Sequence, residues 1–197
     1  MNKIPSNEIA RKVLHIGSSV IPLGYLWFIH DREIMVLLLG LLSLTAVCIE
    51  FSRGKVKFVD ALFSSWLGIM LRDSETCGKF NGATWFLFGG TITVFLFAMP
   101  VAVPALLFLT VGDTFAAIGG KLYPVGKIGD KTLSGTAAGI TTSFGAAYLV
   151  NQTLPLEVII LGAVSAMGVE LLPVPLNDNL TIPVFSGTVM MASQGLL

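Results

Sequence analysis

The chain has 197 residues, 54% of them apolar and only 12% charged, with twelve basic and twelve acidic side chains that cancel. Soluble domains run at about 25% charged, so a soluble fold of this size could not hide so much apolar surface. Zero net charge points away from a nucleic-acid partner. Cys48 and Cys77 lie too far apart to form a disulfide framework or a zinc site.

The polar start, residues 1–12, runs into an apolar stretch with no small-residue cleavage pattern, so a removable signal peptide is not expected. Seven apolar stretches then follow in order: 13–29, 34–51, 82–98, 100–118, 134–150, 155–172 and 180–196. Each is read as a membrane-crossing helix, giving an all-α, polytopic, single domain over residues 1–197. The third and fourth stretches nearly touch, and Pro100 and Pro104 are expected to break the helix between them and force a reversal. Between the second and third, residues 55–72 carry Val59, Leu62, Phe63, Trp66, Leu67 and Met70 at helical spacing. Flanked by Lys55, Lys57 and Arg72, this segment reads as an amphipathic helix lying in the headgroup region.

With the N-terminus placed in the cytoplasm, eleven of the twelve basic residues fall on the inner side and only Arg32 falls outside. That asymmetry orients the chain and needs no further function. The acids are different. Glu50, Glu75, Asp113, Glu170 and Asp178 gather at the same side, each at or near a span end. Asp113 lies about five residues inside its span, roughly 8 Å below the interface at 1.5 Å per residue. An intramembrane carboxylate is expensive unless paired, hydrated or metal-bound, so a polar site is expected there.

Two further clusters face the same side. Residues 119–135 are rich in glycine and lysine, and Lys131-Thr132 stand where the fifth span begins. Free amides at a helix start beside a lysine make a phosphate seat. The same residues also fit a flexible basic loop with Thr132 or Ser134 as an ordinary cap. The Walker spacing is absent. Asn177-Asp178-Asn179 open the last span and read either as a cap or as ligands. Hard oxygen donors at this density suit magnesium, held by Asp113, Glu170 and Asp178. His15 lies one turn after Arg11 and Lys12 and is either structural or in contact with an anionic group.

The ordered set resembles the family of CTP-dependent lipid-alcohol kinases, which includes dolichol and other polyprenol kinases, phytol kinases and CTP-dependent diacylglycerol kinases. The resemblance is carried by Arg11-Lys12-x-x-His15, Glu50-x-x-Arg53, and Glu75 followed by Asn81-Gly82-Ala83-Thr84. It continues in Gly112-Asp113-Thr114 with Gly119-Gly120, Lys131-Thr132-Leu133-Ser134-Gly135, Glu170, and Asp178-Asn179-Leu180-Thr181-Ile182-Pro183. At position 134 the family often has an acid, whereas this chain has serine.

The resemblance implies a lipid-alcohol acceptor, CTP as phosphoryl donor and Mg2+ at the cytoplasmic face. Asp113, Glu75 and Asp178 would be catalytic, with magnesium on Asp113, Glu170 and Asp178. Lys121, Lys127, Lys131, Thr132, Gly135 and Asn179 would hold the nucleotide, and Arg11, Lys12, His15, Glu50 and Arg53 the acceptor. A phosphatidate cytidylyltransferase-like enzyme shares the Gly-Asp and Lys-[Ser/Thr]-x-x-Gly segments and is the nearest alternative. An anion transporter is the second, although no internal repeat supports it.

Overall fold

In the computed structural model the protein is almost entirely helical; the residues described are 6–53, 55–57, 59–61, 80–150, 153–173 and 175–195. Helix α1 (Ser6–Gly17) and α2 (Val20–Gly24) lead into a π turn at Tyr25–Ile29. His30, in the left-handed region at φ 55, turns the chain into α3 (Arg32–Arg53). Then come α4 (Gly82–Leu96) and α5 (Met99–Leu107), with a second π turn at Phe108–Gly112 joining α5 to α6 (Asp113–Leu122). A two-stranded hairpin, β1 (Lys127–Ile128) and β2 (Lys131–Thr132), precedes α7 (Leu133–Val150), α8 (Leu156–Leu171) and α9 (Asp178–Gln194).

Each of the seven apolar stretches falls on a helix. Three of these helical runs, Glu8–Ile29, Arg32–Arg53 and Met99–Leu122, are long and apolar enough to cross a membrane. Others are shorter than expected for a span: α4 has 15 residues, α8 has 16 and α9 has 17. Most of the expected amphipathic helix, including Trp66 and Arg72, lies outside the described residues.

The proline expectation needs correcting. The reversal occurs at Phe97 and Ala98, which are extended, and the helix restarts at Met99, ahead of both prolines. Pro100 sits in the first turn, where a missing N–H removes no intrahelical bond. Pro104 lies inside α5 without ending it. The other side of this reversal is held by Arg32, which donates through Nε to the Val94 carbonyl at 3.0 Å and also to the Phe95 carbonyl. A basic side chain there satisfies carbonyls that the end of α4 leaves unpaired.

The run Met99–Leu122 is the centre of the fold, with 72% of its most apolar stretch buried against 17% for each of the other two long helices. Val101 through Thr110 are all buried. By contrast α3 turns Leu37, Leu41, Leu42 and Leu44 outward, an apolar face suited to lipid. Lipid tails are as apolar as leucine, so helices in a bilayer associate largely by close approach at small residues. Gly89 on α4 faces the Asn179 backbone of α9, and Gly112 faces Ser143 of α7 and Met167 of α8.

A methyl group at Gly89 would run into the Asn179 carbonyl, which is backbone and cannot swing aside. Gly89→Ala should therefore destabilise the protein by about 3 kcal/mol, the upper end for overpacking. Gly168→Ala on α8, which meets nothing within 4 Å, should be neutral or better. Melting temperatures in detergent would check the contrast.

Candidate functional site

Asp113 owes its position to the second π turn. The turn closes with the Asp113 N–H donating to the Phe108 carbonyl, five residues back. Such turns add a residue to one helical turn, shift the face presented beyond it, and are frequent at functional positions. Two residues of α1 meet the carboxylate. Lys12 Nζ lies 2.8 Å from Asp113 Oδ2 and 3.3 Å from the Asp113 carbonyl. His15 Nε2 lies 3.6 Å from the same carboxylate oxygen and 3.1 Å from the Leu109 carbonyl. A carbonyl only accepts, so Nε2 carries the proton in that bond.

Lys131 comes from the hairpin. Ile128 pairs with Lys131 across a two-residue Gly129-Asp130 turn, and Gly129 alone of that pair has positive φ, at 57. That is the type II′ pattern, which matches the twist of paired strands. The register delivers the Lys131 ammonium to Glu170, at the end of α8, and to Asp178 Oδ2 at 3.2 Å, at the start of α9. Burial lowers the affinity of Lys131 for its proton. Asp178 and Glu170, with Asp113 behind them, outweigh that and hold the ammonium above the usual lysine range.

Three carboxylates from three helices thus converge. Asp113, Glu170 and Asp178 each place an oxygen within 4.8 Å of the others, which is the set predicted from the sequence to hold magnesium. Hard carboxylate oxygens at this separation could hold a divalent cation of the magnesium or calcium type, and Lys131 bridges two of the three, offsetting one of their charges. The three line one cavity of about 1060 Å³, together with Arg11, Lys12, His15, Lys121, Lys131, Thr132, Gly135 and Asn179. That is the upper end of the range for a ligand site.

Several predicted residues also make contacts that hold the fold together. The first amides of α7 do not form an open phosphate seat. Leu133 N–H donates to the Gly126 carbonyl at 3.0 Å, Ser134 N–H to Val125 at 3.3 Å, and Gly135 N–H to Thr132 Oγ1 at 3.1 Å. Thr132 is a helix cap, as one of the two readings had it. Ser134 accepts from the Val125 N–H at 3.2 Å and donates to the Tyr123 carbonyl, clasping the base of the hairpin. Asn179 donates to the Gly82 carbonyl at 2.9 Å and ties α9 to α4. Lys121 pairs with Glu8. Lys127 stands exposed on β1 and is not among the residues lining the cavity.

Glu50 and Arg53 also lie behind the cavity wall. They pair at 3.0 Å, and Glu50 Oε1 accepts from the Asn81 N–H at 3.0 Å. Asn81 in turn accepts from the Thr84 N–H at 2.8 Å and lines the cavity. An amide just ahead of a helix needs an acceptor, and Glu50 supplies it. Glu75 lies outside the described residues. Asn81 was not predicted as a site residue, although Asn81-Gly82-Ala83-Thr84 before an apolar run is a legible capping signal.

No family model matches the chain, and no solved structure matches it. It is similar to a protein of Rickettsia prowazekii described as uncharacterized, at 29% identity over 192 residues, with 89% of each chain covered.

Removing Lys12 should strand the Asp113 charge, since both side chains are only 16% exposed. Lys12→Met is expected to cost about 3 kcal/mol, the lower end for a broken buried pair. Neutralising both partners in Lys12→Met/Asp113→Asn should recover much of that loss, read as melting temperature in detergent.

Proposed function

We propose that the protein is a membrane-embedded kinase that transfers the γ-phosphate of CTP to the hydroxyl of a lipid alcohol. The observation that carries this reading is the convergence of Asp113, Glu170 and Asp178 with Lys131 in one large cavity at one end of the helices. The cavity draws on α1 and α6 along most of their length, on the starts of α4, α7 and α9 and on the end of α8; α6 is itself the end of the run Met99–Leu122. Seven antiparallel crossings with the N-terminus in the cytoplasm would put all of these on the cytoplasmic side, where CTP is found.

Phosphoryl transfer asks mainly for positioning and charge neutralisation. Lys131, paired with Glu170 and Asp178, would turn from them toward the nucleotide phosphates. Lys12 pairs with the Asp113 carboxylate, and His15 beside it helps to fix its orientation. Mg2+ bound by Asp113, Glu170 and Asp178 would neutralise charge on the phosphates. The acceptor oxygen forms a bond to the γ-phosphorus as the β–γ bridging bond breaks, CDP leaves, and the hydroxyl proton passes to a carboxylate of the cluster. A transporter reading fits less well, because the polar groups gather at one end of the helices, not midway along them.

Purified protein given CTP, Mg2+ and mixed lipid alcohols should yield CDP and a phosphorylated lipid. Given phosphatidate in place of the alcohols, pyrophosphate with a CDP-lipid would identify the cytidylyltransferase instead, and no product from either acceptor would overturn both. Asp113→Asn should lower turnover by about a thousandfold while the protein still inserts, since a ligand that organises charge is worth several kcal/mol. Chelating the metal with EDTA should abolish turnover reversibly.

A further inference from the structure

Beside the large cavity lies a smaller concavity of about 130 Å³ between α1 and α6. Ile9, Val13 and Ile16 form one side of it, and Thr114, Ala117 and Ile118 the other. Ile9 and Val13 are 50% and 63% exposed, so the groove opens on the outer surface of the helices, where lipid would lie. Its remaining wall is made by Glu8, Lys12 and Lys121, which also line the large cavity. Lys12 therefore borders the groove and also touches Asp113. The Glu8–Lys121 pair joins α1 to α6 at the boundary between the two spaces.

The groove is apolar along its body and ends at charged groups that belong to the acidic cavity. That division matches a molecule with a hydrocarbon chain ending in a polar head. A water-soluble solute would gain nothing from the apolar part, and bulk lipid covering an apolar face needs no contact with the cavity wall. We propose that the groove between α1 and α6 seats the first carbons of the acceptor lipid's chain, with the Glu8–Lys121 pair as the threshold beside which its hydroxyl enters the cavity. This rests on the kinase reading. The groove volume equals about four waters' share of liquid, so it holds only the chain's proximal few carbons. The enzyme would then read branching close to the hydroxyl and be indifferent to total chain length.

The test uses the full protein in phosphatidylcholine vesicles and a long-chain alcohol carrying a diazirine near its hydroxyl. Photolabelling should map to residues 8–17 and Asp113–Leu122 and be competed by unlabelled alcohol. Val13→Trp and Ile118→Trp, filling the groove from opposite walls, should each raise KM for the long-chain alcohol about tenfold, with KM for CTP within about twofold. Leu41→Trp on the outward face of α3 should change neither. Labelling that maps elsewhere, or Trp variants with unchanged KM for the alcohol, would overturn the groove while an active wild type leaves the kinase reading intact. Competed labelling in the groove of a protein that phosphorylates no lipid would overturn the kinase reading and leave the groove as a lipid site.

Discussion

A carboxylate inside the most buried helix of a membrane protein has to be compensated, and the organisation of the site follows from how this chain does it. Asp113 begins α6 within the run Met99–Leu122, and its counter-charge comes from Lys12, 101 residues earlier. The pair binds the amphipathic first helix to the centre of the fold. His15 adds a second tie through the Leu109 carbonyl of the π turn, and Ser19 donates to Thr110 at 2.7 Å one turn deeper. Three polar contacts along one face of the first helical run thus dock it against a single stretch of the central helix. In an apolar medium such contacts supply specificity that the hydrophobic effect cannot.

The second cluster works by the same principle with the signs exchanged. There a single ammonium, Lys131, sits between two carboxylates, Glu170 and Asp178. Around it, capping groups hold the helix starts in place. Asn81, Thr132 and Asn177 each accept an N–H of the helix that follows, and Asn179 binds α9 to α4. Residues that look like ligands in a linear motif thereby include some that hold the cavity walls in place.

That division marks where reading the chain alone was sufficient and where it was not. The helices could be read from apolar runs, and the gathering of Asp113, Glu170 and Asp178 from their placement at span ends. The roles of Glu50, Arg53, Asn179 and the amides after Thr132 could not. A carboxylate facing a substrate and one accepting a backbone N–H carry the same letter, and only the neighbour decides between them. Pro100 and Pro104 make the same point for the backbone. Proline interrupts a helix or begins one according to its position in the first turn, and the position was set by the extended pair Phe97 and Ala98.

The sequence by itself determined that the chain is helical and apolar, and that its acids collect toward one end, because composition and spacing act locally and survive without any partner. The tertiary structure decided which acid meets which base. Lys12 could serve a substrate or Asp113, and Lys131 a phosphate or Glu170, until the packing of α1 and the register of the hairpin brought one partner within bonding distance. Charges select partners over a few ångströms, and those distances are fixed by contacts between segments far apart in the chain.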